Sequence, residues 1–246
     1  MLLSDLFRQL SFGELSNLAI SNSGSGTIVE AKHPQLIHYT NDALVKIFTR
    51  FVLSEKEVII EQMTEVTEYH LKAKHSESVG TEANLYIIDT AEDPFQDNIA
   101  IRITEVWGAI SSESEQHVKM PLNDTAHPYS LFTPAPLVLQ VPEPVDGEPL
   151  AIIYQAYHPK LIDVPVEPEV DISLDQEIDI PRYLEDALQK HIAHSVFSHM
   201  NGAENVAKGA EYLSDYERCC QEIENKDLAS QSWHTSHTKL EQRGFV

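Results

Sequence analysis

Eleven of the 13 prolines in this chain fall between Pro121 and Pro181, and that clustering limits the fold more than any other feature. Proline lacks a backbone N–H and fixes φ, so it breaks helix interiors and is confined in sheets to edges, first positions and bulges. Residues 121–181 therefore hold no long helix, and any strand there is short or lies at an edge. Helical patterning has to be sought on either side.

It is found on both. Leu2, Leu3, Leu6 and Leu10 recur at helical spacing ahead of the polar run Ser21-Asn-Ser-Gly-Ser-Gly26, which suits a loop. His33-Pro34 places proline at a first helical position, and Ile37, Leu44, Ile47, Phe48 and Phe51 continue every three or four residues. After Pro181, Leu184, Leu188, Ile192, Val196 and Met200 form an i+4 ridge that Asn201-Gly202 ends. Val206, Ala210, Leu213, Cys220 and Ile223 then predict a second helix antiparallel to the first.

Between these regions the pattern is that of strands. Val58-Ile59-Ile60, Val66 to Leu71, Leu85 to Ile88, Ile99 to Trp107, Leu137 to Val141 and Leu150 to Tyr154 are rich in β-branched and aromatic residues separated by short turns. Asp146-Gly147 predicts a tight hairpin turn between the last two. The expected fold is α+β: a helical bundle made from N-terminal helices and a C-terminal helical hairpin, a central antiparallel β region, and an extended C-terminal tail. The expected boundaries are a helical segment over 1–54, the β region over 55–162, an acidic linker over 163–180, the hairpin over 181–225 and the tail over 226–246. The linker carries seven carboxylates from Asp163 to Asp179 and no basic residue, a composition that prefers water.

Charge narrows the function classes. With 17 Lys and Arg against 39 Asp and Glu, the formal charge is −22, which opposes a broad phosphate-binding face. No apolar run approaches the roughly 20 residues that span a bilayer, and the start at Met1 lacks a basic region followed by an apolar core. Cys219 and Cys220 are adjacent, unsuited to an ordinary disulfide with each other, and fit a reducing compartment. The expectation is a soluble, unsecreted protein with no membrane partner.

Groups that could carry chemistry are few. His191, His194 and His199 share one predicted helix, with His234 and His237 further on, and invite a metal hypothesis. At about 100° per residue, however, His194 lies roughly 60° to one side of His191 and His199 about 80° to the other. Metal and phosphate-loop motifs are missing: there is no His-Glu-x-x-His, no Cys-x-x-Cys, and no Lys-Ser or Lys-Thr after Gly24-Ser-Gly26. Cys220 falls on the apolar face and Cys219 on its flank, so packing accounts for both better than nucleophilic chemistry. Asp89, Glu92, Asp93 and Asp97 lack the calcium-loop frame and read as solvated acids. No catalytic residue, metal or cofactor is expected.

One further layer of information lies in the order of short segments. Ser11-Phe-Gly-Glu-Leu-Ser-Asn-Leu18, Thr49-Arg-Phe-Val-Leu53, Val66-Thr-Glu-Tyr-His-Leu71, Pro121-Leu-Asn-Asp124, Leu131-Phe-Thr-Pro134, Ile153-Tyr-Gln-Ala-Tyr-His-Pro159, Pro181-Arg-Tyr-Leu-Glu-Asp-Ala-Leu188 and Leu240-Glu-Gln-Arg-Gly-Phe-Val246 follow one another along nearly the whole chain. In that order they resemble the head-to-tail adaptor, or connector, proteins of short-tailed bacteriophages. The resemblance implies a non-enzymatic virion structural protein, made in the host cytoplasm. It would form an oligomeric ring, a dodecamer, between the portal protein and the tail nozzle protein, with DNA passing through during ejection without specific binding.

Partner contacts implied by this reading are Trp233, Leu240, Arg243, Gly244, Phe245 and Val246 of the tail toward the portal. Leu184, Leu188, Ile192, Val206 and Leu213 of the hairpin are expected to make the lateral ring contacts. Two rival classes make different demands. A metal-dependent cytosolic enzyme would need ligands from both hairpin helices, and a monomeric binding module would need neither ring nor metal.

Overall fold

The computed structural model describes residues 1–18, 20, 27–109, 117–162, 174–226 and 228, and the fold is α+β. The chain divides into two compact units: a helical one from Met1–Val52 with His158–Val246, and a β unit from Leu53–Tyr157.

Among its described residues the helical unit has four α-helices: α1 (Leu3–Phe12), α2 (His33–Arg50), α3 (Glu185–Ser198) and α4 (Ala203–Asn225). Pro34 sits in the first turn of α2, where no intrahelical N–H is lost. Helices α1, α2 and α3 turn most of their apolar positions inward, and α4 buries Tyr216, Cys220 and Ile223. Leu3, Leu6 and Leu10 of α1, Ile47 of α2, and Leu188 and Ile192 of α3 are wholly buried. The chain's first residues close onto the segment ahead of α3: Leu3 N donates to Gln176 O at 2.9 Å, Ile178 N to Met1 O at 2.7 Å, and the Met1 ammonium to Ile178 O at 2.8 Å.

That clasp alters the expected acidic linker. Over 174–180 the carboxylates of Asp175, Glu177 and Asp179 are exposed while Ile178 and Ile180 are buried, so this portion packs as an extended, two-sided segment. Alternating isoleucine with acid lets one face enter the core without desolvating the carboxylates. Residues 163–173 lie outside the described residues.

The β unit contains β1 (Glu55–Glu61), β2 (Glu68–His70), β3 (Ile87–Ile88), β4 (Ala100–Ala109), β5 (His117–Lys119), β6 (Phe132–Ala135), β7 (Val138–Gln140) and β8 (Pro149–Ala156). They form two antiparallel sheets, one in the order β3-β1-β8-β4-β5 and one in the order β2-β7-β6. Pro134 lies in β6 at a sheet edge and Pro149 opens β8, both positions where a missing N–H is tolerated. A shared core includes Val58, Ile60, Tyr69, Tyr86, Phe95, Val106, Leu139, Ile152 and Tyr154.

The Asp146-Gly147 hairpin is a correction. Gly147 has φ of 77°, as a tight turn requires, yet the flanking strands do not pair. β7 joins β2 and β6, while β8 lies between β1 and β4. The turn instead transfers the chain from one sheet to the other, with Gly147 N bonded to Gln62 O at 2.9 Å and Val145 N to the Gln62 side chain at 3.1 Å.

Candidate functional site

Helix α3 with the 3-10 turn Arg182–Leu184 ahead of it, and helix α4, distribute the five expected ring-contact residues between two environments. Leu184, Leu188 and Ile192 are fully buried within the helical unit, so they stabilise the chain's own core and are not offered to a neighbour. Val206 and Leu213 are 55% and 38% exposed. They lie seven positions apart on α4, and Ala203, Ala207 and Ala210 beside them are exposed as well. The lateral contacts expected of the hairpin therefore reduce to one apolar line on α4.

The three helical histidines do not converge on one point, although the rings of His191 and His194 meet edge-on with centroids 5.8 Å apart. His194 Nδ1 donates to Gly209 O at 2.8 Å across the hairpin, and His199 Nδ1, just past the end of α3, to Ser195 O at 2.7 Å. His191 is buried, its ring edge-on to Tyr216 with centroids 5.0 Å apart. Among the described residues no three His, Cys, Asp or Glu side chains converge as a metal-ligand group. Burial raises both thiols, Cys219 to about 12 with help from Asp186, whose Oδ2 accepts its S–H at 3.1 Å. Both are held as protonated packing groups, far from the thiolate a nucleophile needs.

Sequence reasoning missed Arg50, at the end of α2. Its Nε and Nη2 donate to Glu224 at 2.7 and 3.2 Å, and its Nη1 donates to Glu217 at 2.6 Å, joining α2 to α4. A basic residue in the last turn of α2 and two glutamates seven apart on α4 were the available signal. Their meeting depends on tertiary packing. Lys190 is similarly bonded to Glu14, whose carboxylate follows α1.

In the β unit a cleft of about 330 Å³ lies beside β1. Lys56, Glu57, Val58 and Ile59 form one side, and the chain from Ile88 to Gln96, except Ala91 and Glu92, lines the other with Tyr154 and Ile99. Phe95 stands edge-on to Tyr154, with ring centroids 5.9 Å apart. Burial, with a smaller contribution from the Asp93 charge, pushes the Tyr154 phenol up to about 12.

The cleft wall corrects the reading of Asp89 as a solvated acid. Its Oδ1 accepts from Ser78 N at 2.9 Å, and its Oδ2 from Ser78 Oγ at 2.6 Å and Phe95 N at 2.8 Å. Burial works to raise this carboxyl, but these three bonds, with a smaller contribution from the Ser76 hydroxyl, outweigh it and hold it below its ordinary value. Asp89 thus fixes the position of Phe95. Asp97 is also engaged, through Ala73 N at 3.3 Å. Glu92 and Asp93 keep exposed side chains.

Trp233, Leu240, Arg243, Gly244, Phe245 and Val246 lie outside the described residues. No protein-family model matches the chain, and no curated protein matches it.

Proposed function

We propose that this chain is a non-enzymatic virion structural protein, a head-to-tail adaptor whose copies form a dodecameric ring between portal protein and tail nozzle protein. The ordered segments from Ser11–Leu18 to Leu240–Val246, which resemble those of short-tailed phage adaptors, support the reading. The observation that carries it is the apolar line Ala203, Val206, Ala207, Ala210 and Leu213 on α4, a face that a solitary chain leaves in water. The net charge of −22 is also suited to a DNA passage, because an acidic wall repels phosphate and does not grip a sliding genome.

The test is reconstitution of the untagged protein with assembled portal, followed by imaging. A ring of this chain bound to portal is the expected result. A protein that remains monomeric beside portal at every ionic strength is the contrary one. Removing residues 229–246, past the end of α4, should leave the melting temperature within about 2 °C of the full chain and abolish portal binding. Portal binding that survives this truncation would remove the tail from its assigned role.

A further inference from the structure

Strand β1 has one neighbour along its whole length and another at only two residues. β8 pairs with every position from Glu55 to Glu61, whereas β3 pairs only at Ile59 and Ile60. Alternation in an antiparallel ladder fixes where the remaining backbone groups point. Glu61 N donates to Tyr86 O at 2.8 Å, on the β3 side. Gln62 N donates to Glu148 O at 3.0 Å, and Ser54 O accepts from Ala156 N at 2.9 Å, both on the β8 side. Even-numbered residues therefore serve β8, and odd-numbered ones face the other edge. The N–H and C=O of Glu57 point outward, and among the described residues no strand pairs with them.

Beside this edge is the cleft of about 330 Å³ rather than a packed neighbour. The two faces of β1 differ there. Lys56 and Val58 share the inner face with their partners Tyr154 and Ile152, and Phe95 packs against Tyr154. Glu57, Ile59 and Glu61 share the outer face, where Ile59 is paired with Ile88, and these two isoleucines are 40% and 39% exposed. An unpaired edge beside an open cleft, with polar side chains such as Thr90 and Asp93 at its surface and Val58, Phe95 and Tyr154 beneath, is the arrangement by which sheets accept an added strand.

We propose that the β1 edge at Glu57 receives an extended segment of a partner protein as an additional strand. Apolar side chains of that segment enter the cleft against Val58, Phe95 and Tyr154, and lysines or arginines lie on its outer face. Charge selects this occupant. A second copy of β1 paired across Glu57 would set carboxylate opposite carboxylate, which is unfavourable, whereas a basic residue there meets Glu57 directly. Asp93, an exposed residue of the cleft lining, adds to the same preference and with Glu57 outweighs the single positive charge of Lys56 there. The inference concerns the β unit and holds whether or not the chain forms a ring.

The probe is the blocked peptide acetyl-Lys-Val-Lys-Val-Lys-Val-Lys-amide, added to the full chain and followed by amide exchange and by calorimetry. In the free protein the Glu57 amide should exchange rapidly and the Val58 amide, bonded to β8, slowly. The peptide should slow exchange at Glu57 by about tenfold or more. The same peptide with glutamate for lysine, or with alternate backbone nitrogens methylated, should not. Glu57→Pro, which removes one outward N–H at an edge position, and Asp93→Lys, on an exposed side chain, should each weaken binding by about tenfold. Protection of Glu57 in the free chain overturns the proposal, as does peptide binding that is absent or equal in Asp93→Lys and the parent. If Glu57→Pro fails to fold, Asp93→Lys and the methylated peptide decide.

Discussion

His191 is only 8% exposed, and its Nδ1 has no hydrogen-bond partner among the described residues. Burial, followed by the positive influence of His194 and Lys46, lowers its pKa to about 4 against a smaller opposing effect of Asp42 and Glu217. An unfolded chain protonates the same imidazole near 6.5, so between about 6.5 and 4 the unfolded state binds the extra proton. Stability is then fully present above about pH 6.5 and declines as pH falls toward 4, by at most about 2–3 kcal/mol from this group. His191→Phe keeps an aromatic ring against Tyr216 and removes the titration. Its urea midpoint should change less between pH 7 and pH 4.5 than that of the parent, and equal changes in the two proteins would remove His191 as a source of the acid sensitivity. The helical pattern located His191 beside the buried ridge, but not the ring of Tyr216 that covers it. Asp89 teaches the same lesson, since nothing in its sequence neighbourhood distinguishes it from exposed Glu92 and Asp93.

At the level of elements, the α3–α4 hairpin depends on a close approach at Gly209. A methyl group there would lie 2.6 Å from Ser198 Oγ, 3.0 Å from Ser198 N and 3.4 Å from its Cα, and two of those atoms are backbone. Gly209→Ala should therefore push the helices apart and cost about 1–3 kcal/mol, although alanine is the better helix former. A thermal melt of the variant checks the sign, and a gain in stability would mean that the crossing is looser than its geometry. All four helices were legible in the sequence because burial repeats every three or four residues within one segment, as Leu184, Leu188, Ile192 and Val196 show. Strand content was legible too, from runs such as Ile99 to Trp107. Strand partners were not: Asp146-Gly147 specifies a local turn, whereas the choice between β7 and β1 as neighbours of β8 is made by residues some 90 positions apart, Val58 against Ile152 among them. Short strands such as β3 add to the difficulty, since two residues have no period.

For the molecule as a whole, a charge of −22 sets the terms on which copies can meet. Bringing two such chains together costs electrostatic free energy that falls as salt shortens the screening length from about 10 Å at 0.1 M to about 3 Å at 1 M. The apolar line on α4 supplies an attraction of the opposite dependence, because covering the half-exposed Val206 and Leu213 contributes roughly 1 kcal/mol for each side chain and is not weakened by screening. The two effects together predict self-association that strengthens with ionic strength, contrary to an assembly held by ion pairs. Leu213→Glu sets a further carboxylate on that line at a position already 38% exposed, so the fold should be retained while association is lost. Sedimentation velocity across a salt series, with melting measured in parallel, reads both quantities. Larger species that appear with salt in the parent and are absent in Leu213→Glu, at nearly equal melting temperatures, are the expected outcome. Association that weakens with salt, or that is unchanged by Leu213→Glu, would move the interface away from α4 to a surface governed by charge.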